Sequence, residues 1–264
     1  MRVVRLVLSF LLILSSSPRL NSQQSAAAAA RDTNAIALLS RSVTALGGTG
    51  AYSATNGVIA RGTLTASPGG ISGPILWENA GAEFRFERPG PSGTIVFVSG
   101  HGNPGIADGG RVRRNIGHLA MTNLPPHLVA ATLASHLANS AIQISAVQQV
   151  TLNGTSALKV STVDTSDELS VIICKQDWYL DPNTLLPLRV DFLASEARNA
   201  LDTAKMTYLF SNWQNVSGVL MPFQVVTLFE GQQIFTVTFD SIQIGVSIPA
   251  ADFDVPPATG GGAQ

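Results

Sequence analysis

The second half of the chain carries Trp178-Tyr179-Leu180-Asp181-Pro182-Asn183-Thr184 and then Leu186-Pro187-Leu188-Arg189-Val190. Two apolar runs, Trp178–Leu180 and Leu188–Leu193, flank a stretch of Asp, Pro, Asn and Thr, which are turn residues. So close a spacing makes the pair antiparallel. Working outward, Leu169–Cys174 and Lys205–Phe210 read as further strands. Asn153-Gly154 is a two-residue hairpin turn that sets Leu152 opposite Thr155, Val150 opposite Ala157 and Val147 opposite Val160. Gly231-Gln232 marks a second tight turn, with Leu228 opposite Phe235 and Val226 opposite Val237. In both registers apolar residues face apolar residues, so the turns and the strands support each other.

Towards the N-terminus, Val58–Thr65, Ile75–Glu78, Glu83–Arg88 and Thr94–Ser99 have the same character. In the third, Phe84 and Phe86 point one way and Glu83, Arg85 and Glu87 the other, so the sheet has an apolar and a wet face. Gly100 to Gly110 reads as a looser, Gly-rich stretch. Two helices stand out. The first is capped by Asp32 or Thr33, carries Ile36, Leu39, Val43 and Leu46 on one face, and ends at Gly47-Gly48. The second runs from Pro125/Pro126 to about Asn139, with Leu128, Val129, Thr132, Leu133 and Leu137 as its apolar stripe. Roughly ten or eleven strands with few helices make one barrel or strongly curved sheet in a mainly β, α+β chain. No repeat and no internal linker divides it.

The chain has 264 residues, with 16 Lys+Arg against 17 Asp+Glu, a formal charge of −1. That balance argues against nucleic-acid binding driven by bulk charge. Charged residues make up 12% and apolar ones 45%, which excludes charge-driven disorder over most of the length. The single cysteine, Cys174, forms no internal disulfide and belongs to no multi-Cys metal site. Residues 1–24 read as a secretory signal: Arg2 and Arg5, the apolar run Leu6 to Leu14, then Ser15–Ser17. The run is shorter than the about 20 residues of a membrane-spanning helix. Residues 25–31 read as a linker, 32–258 as one folded domain and 259–264 as a flexible Gly-rich tail. The address implied is periplasmic or secreted.

The Trp178–Val190 motif is followed by Tyr208-Leu209-Phe210-Ser211-Asn212-Trp213 and by Val216-Ser217-Gly218-Val219-Leu220-Met221-Pro222-Phe223. The chain then closes with a long hairpin and Phe253-Asp254-Val255-Pro256. This order resembles the periplasmic outer-membrane lipoprotein carrier superfamily, the LolA/LolB-like fold. The N-terminal helix, the Trp77 strand, the Phe84/Phe86 strand and the Asp108-Gly109 turn are compatible with it. The resemblance implies a single incomplete antiparallel β-barrel, with helices covering the mouth and an apolar concave face that can hold acyl chains. In the carriers a basic residue, usually followed by proline, lies between the Trp strand and the aromatic strand. Here that stretch is Asn79-Ala80-Gly81, a departure that bears on the specific carrier activity and not on the fold.

The residues offer little else. His101, His118, His127 and His136 cluster in sequence, but His127 and His136 are nine apart on one helix and face opposite sides, so no metal site is expected. No nucleophile elbow, Cys/His pair or phosphate loop is present, so neither enzyme activity nor a cofactor is expected. Ser99–Gly105 reads as a plain turn rather than an active-site loop. Asp164, Asp167 and Glu168 read as a solvated hairpin tip, and Cys174 as a small hydrophobe on an apolar strand. Arg111, Arg113 and Arg114 are either a solvated edge or a contact for a headgroup or for partner carboxylates.

The candidate ligand-binding residues are Trp77, Phe84, Phe86, Phe97, Leu128, Leu133, Leu137, Trp178 and Phe235. Inward aromatics often only fill a barrel, but more than eight strands leave room for a cavity. The expected function is an exported, non-enzymatic carrier that holds an acyl lipid or a lipidated protein in an apolar groove, with transient membrane-surface contact. The alternative is an envelope sensor or protein–protein interaction module without a lipid. If the Leu128–Leu137 helix is a swinging lid, Leu133→Asp leaves the barrel folded, whereas Phe235→Asp prevents folding.

Overall fold

The computed structural model describes residues 30–48, 57–81, 83–114, 128–196 and 199–257. The proposed leader, most of the linker, the tail, Pro125/Pro126, His118 and His127 lie outside the described residues. The first helix, α1 (Thr33–Ala45), begins where an Asp32 carboxylate oxygen accepts from the Ala35 N–H at 2.8 Å. At its end Gly48 N–H donates to Val43 O at 2.8 Å and Gly47 N–H to Thr44 O at 3.1 Å, a Schellman closure. Gly47 has φ +113°, and a Cβ there would lie 2.2 Å from Gly218 O, so the helix end seats on the opposing turn only as glycine.

The first arm of the sheet is a meander of β1 (Gly57–Ala66), β2 (Gly73–Ala80), β3 (Glu83–Gly90), β4 (Gly93–Gly100), β5 (Asn103–Asp108) and β6 (Arg111–Arg114). Gly100 to Gly110 is therefore not loose. It is the strand β5 between two tight turns, His101-Gly102 (φ 51° and 72°) and Gly109-Gly110 (φ 54° and 82°). The second arm comprises α2 (Val129–Ala138), β7 (Ile142–Ile144), β8 (Gln148–Leu152), β9 (Thr155–Asp164), α3 (Glu168–Ile173), β10 (Gln176–Leu180), β11 (Pro187–Glu196), β12 (Asn199–Val216), β13 (Val219–Phe229) and β14 (Gln232–Val246). A 3-10 turn, Ala250–Phe253, follows.

The fourteen strands form one antiparallel sheet in the order β6-β5-β4-β3-β2-β1-β14-β13-β12-β11-β10-β9-β7, with β8 beside β9. Among the described residues it is open, ending at β6 on one side and at β7 and β8, both beside β9, on the other. Pairing of β1 with β14 joins the two arms. The count exceeds the ten or eleven expected, chiefly through the short strands β5 to β7. Along the sheet β3 and β12 are five places apart, about 24 Å if it were flat. Yet Arg88 of β3 and Tyr208 of β12 are close enough to interact electrostatically, so the sheet curls.

Two registers meet different fates. The Asn153-Gly154 turn pairs Leu152 with Thr155 and Val150 with Ala157, as expected, but β8 starts at Gln148 and leaves Val147 outside the ladder. The other turn is Glu230-Gly231 (φ 47° and 80°), one residue earlier than expected. Two successive positive φ values make a primed turn with glycine second, whereas the sequence reading put glycine first. A bulge then sets Thr227 opposite Phe235 and Val225 opposite Val237. The expected strand Leu169–Cys174 is the helix α3. Asp167 accepts from Ser170 N–H at 2.9 Å and from the Ser170 hydroxyl at 2.7 Å, and this cap outweighs the β-branched run behind it. The acidic cluster is thus a strand end and a helix cap, not a hairpin tip.

The main core lies on the inner face. Leu39 and Val43 of α1, Leu133 of α2, Trp77, Trp178, Val225 and Val237 belong to one cluster, so both helices pack against both arms. Leu133 and Trp178 are fully buried. A smaller core covers the outer face, where Phe253 and Val255 fold back over Val96, Val98 and Ala107. A Cβ at Gly100 would lie 2.3 Å from Phe253 O, which shows how tightly this C-terminal strap crosses β4. The outer face of β3 is accordingly not simply wet, because Arg85 donates to Asp252 O of the strap at 2.9 Å.

Candidate functional site

Between α2 and the inner face of the sheet lies a cavity of about 460 Å³, within the range of small-ligand sites. The helix contributes Leu128, Ala131, Thr132, Ser135, His136 and Asn139. Asn79 comes from β2 in the first arm, and Thr162, Asp164 and Gln176 come from β9 and β10 in the second. Cys174 closes the side next to α3. Asn79 reaches this position by bracing its own turn: Nδ2 donates to Glu83 O at 2.9 Å and to Gly81 O at 3.3 Å.

The walls are more apolar than polar and mostly uncharged. Burial pushes the His136 imidazole down to about 4, against a weaker upward pull from Asp164, so it is neutral at pH 7. Its Nδ1 and the Thr162 hydroxyl are buried without a hydrogen-bond partner. Burial, followed by the charge of Asp164, pushes the Cys174 thiol up to about 11. A thiol held protonated is a poor nucleophile, so this wall suits binding better than covalent chemistry. Cys174 is half-buried at the end of α3, not on an apolar strand.

Of the nine candidate ligand residues, Leu128 lines this cavity. Trp178 stands behind His136, with ring centroids 6.4 Å apart. Trp77 stacks on Phe84 at 6.1 Å and meets Phe86 at 5.3 Å, and Phe86 stacks on Phe97 at 6.2 Å. Trp77, Phe84, Leu133 and Trp178 are buried, whereas Phe86, Phe97, Leu137 and Phe235 are only half-buried on the inner side. Sequence reasoning missed Gln176 and Thr162. Strand alternation from Trp178 puts Gln176 on its face, and Thr162 pairs directly with Gln176.

Other clusters are structurally satisfied. On the outer face burial would raise the Asp191 carboxyl, but hydrogen bonds from Arg189 and Thr207 and the charges of Arg189 and Lys205 hold it below its usual range. Arg189 Nε lies 2.6 Å and the Thr207 hydroxyl 2.7 Å from Oδ1 of Asp191. Arg111, Arg113 and Arg114 are exposed on the terminal strand β6. Among the described residues no three His, Cys, Asp or Glu side chains gather as a metal site requires, and no helix is long and apolar enough to cross a membrane.

No protein-family model and no curated protein matches the chain. Solved structures do. A LolA superfamily protein from Nitrosomonas europaea aligns with a TM-score of 0.53 at 10% identity, over 84% of this chain and 97% of its own. A DUF1329 family protein from Desulfovibrio piger gives 0.52 at 13%, over 84% and 96%. A domain from Vibrio parahaemolyticus named for outer-membrane lipoprotein sorting gives 0.51 at 12%, again over 84% and 96%. The fold is LolA-like. Within this LolA-like fold the cavity lies where α2 meets the inner face of the curled sheet.

Proposed function

We propose that the protein is an exported, non-enzymatic carrier that holds the acyl chain of a lipid or a lipidated protein between α2 and the curled sheet. One observation carries the reading: among the described residues a cavity remains between α2 and the inner face. A cavity of about 460 Å³ sits beside Leu128, and Phe86, Phe97, Leu137 and Phe235 keep part of their surface uncovered. In this reading these five residues touch the ligand, while Trp77, Phe84, Leu133 and Trp178 stand behind them as a rigid wall. Apolar burial supplies the affinity, about 0.8 kcal/mol per methylene. The neutral His136 and the protonated Cys174 add no charge of their own to the cavity. The helices then cover the mouth of an incomplete barrel, and residues 1–24 direct the chain to the periplasm or the exterior. The LolA-like fold and the lipoprotein-sorting name of one structural neighbour support this reading.

The test is native mass spectrometry of the purified protein, beside a titration with a fluorescent fatty acid. The expected result is a co-purifying lipid and saturable one-to-one uptake. Ala131→Phe, which fills the cavity, is expected to lower uptake at least about tenfold without lowering Tm. A protein that takes up no acyl ligand would favour the sensor reading. For that reading the exposed Val171 (47%) and Ile172 (51%) of α3 supply an apolar contact.

A further inference from the structure

Among the described residues the inner face carries a half-buried cation that the apolar-groove reading does not use. Arg88 lies on the same side of β3 as Phe84 and Phe86, in register with Ile95, which in turn pairs with Asp108. Its guanidinium sits over the Phe97 ring, 5.5 Å from the centroid. A guanidinium has five N–H donors. Here one of them, on Nη1, donates to Pro89 O at 3.3 Å, and among the described residues Arg88 has no ion pair. Asp108 interacts with it electrostatically from two strands away, with Oδ1 buried and without a hydrogen bond. Across the curl stands Tyr208, whose phenol burial pushes up to about 12 and the Arg88 charge draws back down.

This place connects to the cavity through neighbouring side chains. Gln176 of the cavity wall pairs with Phe192, and the Phe192 ring lies 4.9 Å from that of Tyr208. The cavity and Arg88 therefore lie on one inner face, joined by this row of side chains. A half-buried guanidinium on an aromatic face, with most donors unengaged, is built to take a planar or tetrahedral oxyanion with two parallel N–H bonds.

We propose that Arg88 is the headgroup anchor of the site: it binds the carboxylate or phosphate oxygens of an anionic acyl ligand, with the guanidinium held on Phe97 and the anion between it and Tyr208. The proposal rests on the acyl-carrier reading and narrows it to anionic amphiphiles. The sequence departs from the lipoprotein carriers at Asn79-Ala80-Gly81, and Arg88 lies at the far end of the following strand, so it is a different cation in a different place.

The experiment is displacement of a neutral fluorescent apolar probe from the full chain by dodecanoate, dodecanol and methyl dodecanoate. The unmodified protein is expected to bind dodecanoate about tenfold more tightly than the two neutral analogues, the size of one or two charge-assisted hydrogen bonds. Arg88→Met is expected to abolish that preference while leaving dodecanol affinity unchanged, and Arg88→Lys to keep part of it. Equal affinities in the unmodified protein overturn the anchor without touching the carrier reading, and need no variant to fold. A preference that survives in folded Arg88→Met also overturns it. Probe that no amphiphile displaces removes the carrier reading and the anchor together. Acetate or inorganic phosphate alone that raises Tm of the unmodified protein, but not of Arg88→Met, and blocks dodecanoate would make Arg88 a free-anion site and overturn its headgroup role.

Discussion

His136 carries a buried Nδ1 without a hydrogen bond and packs edge-on to Trp178. Its cost to the fold depends on pH in a defined window. In the unfolded chain the imidazole takes up a proton near its ordinary value of 6.5, whereas in the fold burial delays this to about 4. Between those values the unfolded state binds more protons, so stability falls as pH is lowered from 6.5 to 4 and is unaffected above. The full effect is about 3 kcal/mol. His136→Phe keeps an aromatic ring against Trp178 and removes the titration. Urea unfolding is expected to show a loss of stability between pH 6.5 and 4 in the unmodified protein and a smaller loss in the variant. Equal losses would show that another group carries the dependence. Asp191 acts in a separate window: its depressed carboxyl stabilises the fold above the ordinary carboxylate value of 3.8, and this is lost as pH falls through its lower folded value. Both proteins keep that second loss.

At the scale of elements, burial decides which parts can move. Leu133 is 0% exposed and lies in the cluster that α1, α2 and both arms of the sheet share. Phe235 is only half-buried, opposite Thr227 across the bulge between β13 and β14. The expected order of severity is therefore the reverse of the lid expectation. A carboxylate at 133 has no route to water, costs several kcal/mol and unfolds the protein. At 235 it faces the unfilled side, so Phe235→Asp folds with a lowered Tm and loses acyl uptake. Circular dichroism melts of the two variants decide this: a folded Leu133→Asp would mean that α2 swings free. What was legible in the sequence follows the same physics. Asp32 and Gly47-Gly48 announce α1, and Asn153-Gly154 announces its hairpin, because local chemistry alone settles those structures. The helix α3 was hidden because Val171, Ile172 and Ile173 favour a strand, and only the Asp167–Ser170 cap overrules them. The Glu230-Gly231 register was hidden because Glu in a positive-φ position carries no sequence mark. The cavity was illegible for a further reason: Asn79, His136 and Gln176 meet only through the curl of the whole sheet.

The whole molecule is one curved sheet with a core on each face, and the two cores have different jobs. The inner one includes α1, α2, Trp77 and Trp178 and frames the cavity. The outer one depends on the strap: Phe253 is 1% exposed and Val255 is 7% exposed, and together they cover Val96, Val98 and Ala107. The strap also holds Arg85 through Asp252 O, and Arg85 in turn bonds Glu87 through Nε at 2.6 Å. Beneath it Glu78 is buried, and its carboxyl is raised first by that burial and then by the charge of Asp252. Ending the chain after Pro249 strips the outer core and leaves every residue of the inner one. Loss of a fully buried phenylalanine alone costs about 3–5 kcal/mol, a large part of an ordinary domain's stability. The truncated protein is expected to bind an apolar dye through the uncovered Val96, Val98 and Ala107 and to melt at a clearly lower temperature. It should still keep the near-ultraviolet signal of the buried tryptophans and its acyl uptake at low temperature. Uptake lost while that signal persists would mean that the strap shapes the inner face through the sheet, and the two faces would then be one mechanical unit.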